Sequence, residues 1–259
     1  QTNTENWERI TRKIGRWVDF ENDYKTMDPD FMESVWWVFK ELWKNKLIYK
    51  DYKVLPYSWA ASTPLSNFEA NMDYREIEDP SIFFTVKAKV DYKKIKKNDE
   101  FLIWTTTPWC IPGNLAIAIG NDIIYSRILL NKTFYWIAKE RLHEIEDHKY
   151  KIIDESLGSD LVGAEYIPAY DEFSDENKNG AFRLIHSDDT NTESGSGLVS
   201  QAPAYGESDF YSLKNAGIDT IVDPVTMSGK FDSSVKGLED KFVKDADQII
   251  IKQLDDRGL

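Results

Sequence analysis

Two stretches of the chain gather residues able to bind and orient a polar substrate. The first is Trp104-Thr105-Thr106-Thr107-Pro108-Trp109-Cys110-Ile111-Pro112-Gly113-Asn114. Threonines closing a strand alternate in direction, so at least one hydroxyl faces the interior or a cleft and needs a partner there. Pro108 and Pro112 cannot extend a ladder, which places those hydroxyls at the mouth of the strand on a stiff loop, where a ligand can replace water. β-Branched residues also end strands for packing alone, and the motif's composition does not separate the two readings. The second stretch runs from Gly195 through Ser200 to Asp209, GSGLVSQAPAYGESD. Its glycines permit close backbone approach before a short apolar strand, and Pro203 to Gly206 turns into a helix with Glu207 and Asp209 in its first turn. Acids there suit the helix dipole by roughly 0.3–1 kcal/mol each; beside a pocket, the same carboxylate binds an ammonium group. A sugar-cleaving carboxylate pair does not fit, because residues two apart on a helix do not face each other across a bond.

Other chemistries find little support. Cys110 has no histidine next to it in sequence and reads as a small buried hydrophobe rather than a nucleophile. Neither GxxxxGK[ST] nor GxGxxG occurs. His143, His148 and His186 lack metal-ligand spacing, and one cysteine excludes both a disulfide framework and a structural zinc site, so no metal or cofactor is expected and a reducing compartment is the default. With 32 Lys+Arg against 45 Asp+Glu, the net charge of −13 repels polyanions as a whole, so any nucleic-acid contact must be local. Lys87-Ala88-Lys89 and the lysines of residues 93–97 either meet phosphates or form a solvated hairpin. No run of eighteen apolar residues and no basic-then-apolar leader is present, so a soluble protein with no membrane partner is expected. The first and last residues read as the ends of an excised piece of something longer.

These motifs need elements to position them. Residues 1–75 are rich in Trp and Lys; Asp28 as cap, Pro29 at the first helical position, and Phe31, Val35, Val38, Phe39 and Leu42 at 3–4 spacing predict a helix with one apolar face. Trp36, Trp37 and Trp43 are expected to pack in a core. From about residue 78 the pattern changes to a period of two or to short apolar runs: IFFTVKAKV, EFLIWTTT, NLAIAIG, IIYSRILL and TFYWIA read as strands. Short helices are predicted near KERLHEIE and GESDFYSLKNAG, the latter stopped by Gly217. Residues 171–180 and the stretch HSDDTNTESGSG read as surface loops. Ala246, Ile249, Ile250, Gln253 and Leu254 share a face of a final helix ending at Gly258. The layout is an α/β chain with a β-rich domain over residues 76–235, a helical arm over 1–75, and a C-terminal return segment and helix over 236–259.

Taken together, WTTTPWCIPGNLAI resembles the threonine-rich motif, and GSGLVSQAPAYGESDF the glycine-to-aspartate motif, of the editing domain inserted in isoleucyl-tRNA synthetases. The segment from GRWVDFENDYKTMDPDF to PLSNFEA resembles the flanking region of the eukaryotic cytoplasmic type. The resemblance implies a barrel-like mixed sheet, a cytoplasmic location and hydrolysis of Val-tRNA(Ile), with Val-AMP as a further candidate substrate. Asp209 matches the aspartate that binds the α-ammonium of the misattached amino acid. Thr105, Thr106 and Thr107 match the threonines contacting the substrate near the terminal adenosine and the ester, and Asn114 the asparagine closing that motif. Trp104, Cys110 and Ser200 fall at pocket positions. A positioned water would hydrolyse the ester, with no covalent intermediate. The chain departs from the family twice: Ser200 stands where a histidine is usual, and Cys110 where a threonine is usual. The first enlarges the site, and the two together motivate the alternative of an editing-dead module that binds the tRNA 3′ end or braces the catalytic domain. Neither HIGH nor KMSKS occurs, Thr226-Met227-Ser228-Gly229-Lys230 being the nearest string, so no amino-acid activation is expected. The implied partners are the 3′ end of aminoacylated tRNA(Ile) and the rest of a synthetase chain, the fragment itself being a monomer.

Overall fold

The computed structural model describes residues 2–72 and 74–259. It divides into two compact units, residues 1–52 and 53–259. In the first, α1 (Thr2–Lys13) and α2 (Pro29–Lys44) form as helices. Asp28 holds the N-cap position of α2 with extended backbone and Pro29 is its first residue, but the Asp28 side chain makes no capping bond. The tryptophans expected in a core are exposed instead, Trp36 by 68%, Trp37 by 63% and Trp43 by 60%. Two helices in so short a unit cannot enclose an aromatic face of this width. Tyr24 meets Phe31 edge-on at 5.2 Å, and Trp36 meets Phe39 at 5.9 Å.

The second unit opens with a minimal hairpin, β1 (Tyr57–Ser58) with β2 (Thr63–Pro64), and α3 (Asn67–Ala70), which Ser66 and Glu69 close with reciprocal capping bonds. The sheet that follows contains β3 (Ile82–Lys87), β4 (Glu100–Thr105), β5 (Ala116–Ile119), β6 (Ile124–Leu130), β7 (Thr133–Ala138), β8 (Tyr150–Leu157), β9 (Arg183–His186) and β10 (Val199–Gln201). Three helices accompany it: α4 (Gly158–Leu161), α5 (Glu207–Asn215) and α6 (Val243–Asp256). The strand order is β8-β6-β7-β4-β10-β5-β9, with β3 along the other edge of β4. On that shared edge β4 changes partners: Glu100 and Phe101 pair in parallel with β7, and Trp104 pairs in parallel with β10. The sheet splays there and curls around a core that includes Phe101, Ile117 and Trp136, so the barrel-like mixed sheet that the sequence implied is the one present.

All five strands expected from the sequence pattern are found. β8 and β9 escaped it, since β8 alternates poorly and faces largely outward, and β9 is four residues long. The final helix buries Ala246, Ile250 and Leu254 as expected, and Gly258 takes a positive φ of 67° just beyond it. The tightest backbone approach is at Gly158, where an added Cβ would lie 2.0 Å from the Gly120 carbonyl oxygen. That oxygen cannot retreat without disturbing the start of β6. Gly158→Ala should therefore destabilise the protein by about 3 kcal/mol, read from the urea midpoint; an unchanged midpoint would show that this crossing is soft.

Candidate active site

Because β4 and β10 run parallel, both deliver their C-terminal ends to the same end of the sheet. Thr105 closes β4, and Thr106 and Thr107 lead into a 3₁₀ turn over Pro108–Gly113. From β10, residues 202–206 turn the chain into α5. The two motifs thus meet, and the ring of Trp109 packs on Tyr205 with centroids 4.8 Å apart.

Thr105 and Thr107 are half-buried and linked: Thr107 N–H donates to Thr105 Oγ1 at 3.1 Å, and the two hydroxyls lie 3.4 Å apart. This local bond turns the chain out of the strand and leaves hydroxyl valence for a ligand. Thr106 is exposed. Trp104 is half-buried, with Gly195 laid flat against its ring. Cys110 hydrogen-bonds Thr107, and burial pushes its thiol up to about 12, with the Asp209 and Asp247 carboxylates adding to the rise. A thiol so raised is protonated at neutral pH, which disfavours a role as nucleophile.

Asp209 is the third residue of α5, after Gly206 as N-cap. Its Oδ2 accepts from Ala202 N–H at 2.8 Å. A Cβ at Gly206 would lie 2.8 Å from Asp209 Cγ, so the glycine makes the room into which the carboxylate folds. Burial raises the Asp209 pKa from 3.8 to about 6; the N–H groups of Ala202 and Asp209 oppose the rise, and the Asp189 carboxylate adds to it. A half-buried carboxylate held only by neutral N–H donors, with a second carboxylate nearby, lacks a compensating positive charge and favours a cation.

Asn114 and Ser200 form a second cluster. Asn114 Nδ2 donates to Ser200 Oγ at 2.9 Å and to the Ala116 carbonyl at 2.7 Å, while Oδ1 accepts from the buried Tyr166 hydroxyl at 2.6 Å. With its amide committed on both sides, Asn114 fixes Ser200 in place. Ser200 Oγ accepts that bond, so its own proton remains available to donate.

Sequence reasoning missed Tyr166 and, more consequentially, Asp247. Asp247 is 2% exposed on α6, and its Oδ1 accepts from Trp109 N–H at 2.8 Å, which ties the last helix to the loop carrying the threonines. Burial raises its pKa. The available signal was an acid on the apolar face of α6, four residues after Val243 and three before Ile250.

This curled mixed sheet, with a threonine loop and an acidic helix start at one end, defines the class, and the chain belongs to the class I tRNA synthetases (I, L, M and V), whose family profile matches residues 1–251. Within that class its relatives are isoleucine–tRNA ligases. It is 43% identical to that of Protochlamydia amoebophila over 255 residues, covering 97% of this chain and 24% of the relative. It is 44% identical to that of Bdellovibrio bacteriovorus over 258 residues, with 97% and 24% covered. The cytoplasmic isoleucine–tRNA ligase of Saccharomyces cerevisiae is 39% identical over 268 residues, with 99% and 24% covered. The chain therefore spans about a quarter of the length of the curated relatives it matches. In fold it is similar to the crystal structure of GlLeuRS-CP1, with a TM-score of 0.52 and 12% identity over 69% of this chain and 96% of that one.

Proposed function

We propose that this chain is a proofreading domain that hydrolyses the ester of valine misattached to tRNA(Ile), working with the 3′ end of that RNA and with the rest of a synthetase chain. A pocket that merely binds cannot separate two side chains differing by one methylene by more than about 1–3 kcal/mol, a limit already well known for isoleucine against valine, so a second hydrolytic site is needed. Asp209 takes the α-ammonium, and that cation restores the ionised carboxylate that burial opposes. The hydroxyls of Thr105 and Thr107 hold the ester and the terminal adenosine, with Thr106 at the open side. Water attacks the ester carbonyl directly, and the protein's contribution is position and hydrogen bonding. Trp104 and Cys110 flank the aminoacyl group, and Ser200, fixed by Asn114, forms the wall that faces its side chain.

The observation that supports this reading is the parallel pairing of β4 with β10, which brings the threonine loop and the start of α5 to one end of the sheet, where burial raises the Asp209 pKa. Val-tRNA(Ile) and Ile-tRNA(Ile) should be incubated side by side with the protein, and selective release of valine is expected. Release of neither amino acid would leave a module that only binds or braces, the reading that Ser200 and Cys110 favour. At the wall, Ser200→His adds bulk where the side chain sits and should raise the valine-to-isoleucine hydrolysis ratio. An unchanged ratio would remove Ser200 from the selecting surface.

A further inference from the structure

An RNA substrate brings a run of phosphates with it, and a protein of net charge −13 must meet them with a local patch of opposite sign. One cleft of about 580 Å³ supplies it. It is framed by Lys87 at the end of β3, Lys96 and Lys97 before β4, Arg127 on β6, and Lys132 between β6 and β7. Asp99 and Glu100 also line it, but both are neutralised within the protein. Arg127 donates to the two Asp99 oxygens at 2.7 Å each, Trp136 Nε1 adds a bond at 3.1 Å, and Lys87 Nζ lies 3.8 Å from Glu100. Arg127 is itself stacked on Phe134 at 3.9 Å, and Lys96 reaches Asp91 at 3.4 Å. Lys97 and Lys132 are exposed; neither ammonium is in an ion pair or hydrogen bond among the described residues, although the Asp91 carboxylate, which accepts the Lys97 backbone N–H at 2.8 Å, feels the Lys97 charge.

The backbone at Lys132 adds an independent reason. Asn131 and Lys132 have φ of 48° and 70°, so both central residues of the β6–β7 hairpin turn are left-handed. Asn-Gly is the favoured pair in such a turn, and a residue with a Cβ is less stable there by about 1–2 kcal/mol. A lysine at a position that favours glycine, whose ammonium has no partner among the described residues, points to a partner outside the chain. The cleft opens at the start of β4 and Thr105 closes that strand, five residues or about 17 Å away at the usual strand rise.

We propose that Lys97 and Lys132 bind backbone phosphates of the RNA whose 3′ end enters the Thr105–Asp209 site, an inference that rests on the hydrolytic reading above. The test is the binding of fluorescently labelled, uncharged tRNA(Ile) to the 259-residue protein, followed by anisotropy across a salt series, for wild type and for Lys97→Gln/Lys132→Gly. Glycine is the preferred residue in that turn, so the double variant should melt no lower than wild type, and Lys97→Gln alone serves as a second check. Binding should weaken about tenfold near 0.1 M salt, and the slope of log K against log salt should shrink by about 1.5, as two lost phosphate contacts require. An unchanged affinity and slope would overturn the proposal. So would binding of poly-L-glutamate in place of tRNA, which assigns the cleft to an acidic protein segment. Hydrolysis of 3′-valyladenosine, which carries no phosphates, should be the same in both proteins. If wild type binds tRNA with the expected slope but leaves that ester intact, the cleft stands and the hydrolytic reading falls.

Discussion

On the proposed reading, Asp209→Asn should slow hydrolysis of the valyl ester sharply and make the protein more stable. Asparagine keeps an oxygen to accept the Ala202 N–H bond, so the turn into α5 survives, but it removes the charge proposed to pair with the α-ammonium. A charge-assisted bond in a half-buried site is worth about 1.5–3 kcal/mol, which sets the expected fall in kcat/KM at roughly 10- to 10²-fold. Stability moves the other way. The folded pKa of about 6 lies above the ordinary 3.8, so the folded state holds a proton that the unfolded chain has released between those values. The Asp209 contribution is fully favourable below about 3.8 and is lost as pH rises through 6, leaving a deficit of roughly 2–3 kcal/mol at pH 8. Asparagine has no such deficit. Its advantage in urea melts should be largest at pH 8 and gone by pH 4. In wild type, kcat/KM should fall about tenfold per unit of pH below 6, as protonation removes the group that binds the substrate. A variant that keeps hydrolysing at the wild-type rate would displace Asp209 from the site.

The second large effect is expected at a residue that touches no substrate. Asp247→Ala leaves the Trp109 N–H unsatisfied at the head of the 3₁₀ turn and should cost about 1–3 kcal/mol of stability. Because that turn fixes Thr105 and Thr107, kcat should drop about tenfold or more while binding of uncharged tRNA holds, since a small loss of alignment is expensive in rate. Asp247→Asn separates position from charge. It can accept the same N–H bond without a buried ionised group, so it should restore kcat and melt at least as high as wild type. If asparagine fails as badly as alanine, the negative charge itself is required and the strut account is wrong.

The sequence was most informative where the chemistry is contiguous. The threonine loop and the run from Gly195 to Asp209 each keep their residues close together in sequence, and the strands around them stand out as short apolar runs, as in β6 and β7. Relations between distant residues were hidden. Trp109 and Asp247 lie 138 positions apart, Asn114 and Ser200 86, and nothing local marks either pair. Asn114 illustrates the consequence: its position in the motif suggested a substrate contact, while its amide is occupied by Tyr166, Ala116 and Ser200. The tryptophans of α2 fail in the opposite sense. Their spacing is that of a core face, and periodicity records that a face is apolar without saying what lies against it.

The bond from Asp247 to Trp109 also bears on the order in which the protein is made. The ribosome releases the threonine loop more than a hundred residues before the carboxylate that fixes it, so the sheet can close while the loop still lacks its anchor. On the proposed reading, hydrolytic competence would then arrive late, with the emergence of α6. A nascent chain halted before residue 247 would carry the threonines, Ser200 and Asp209, yet lack the carboxylate that ties the loop after the threonines to the last helix.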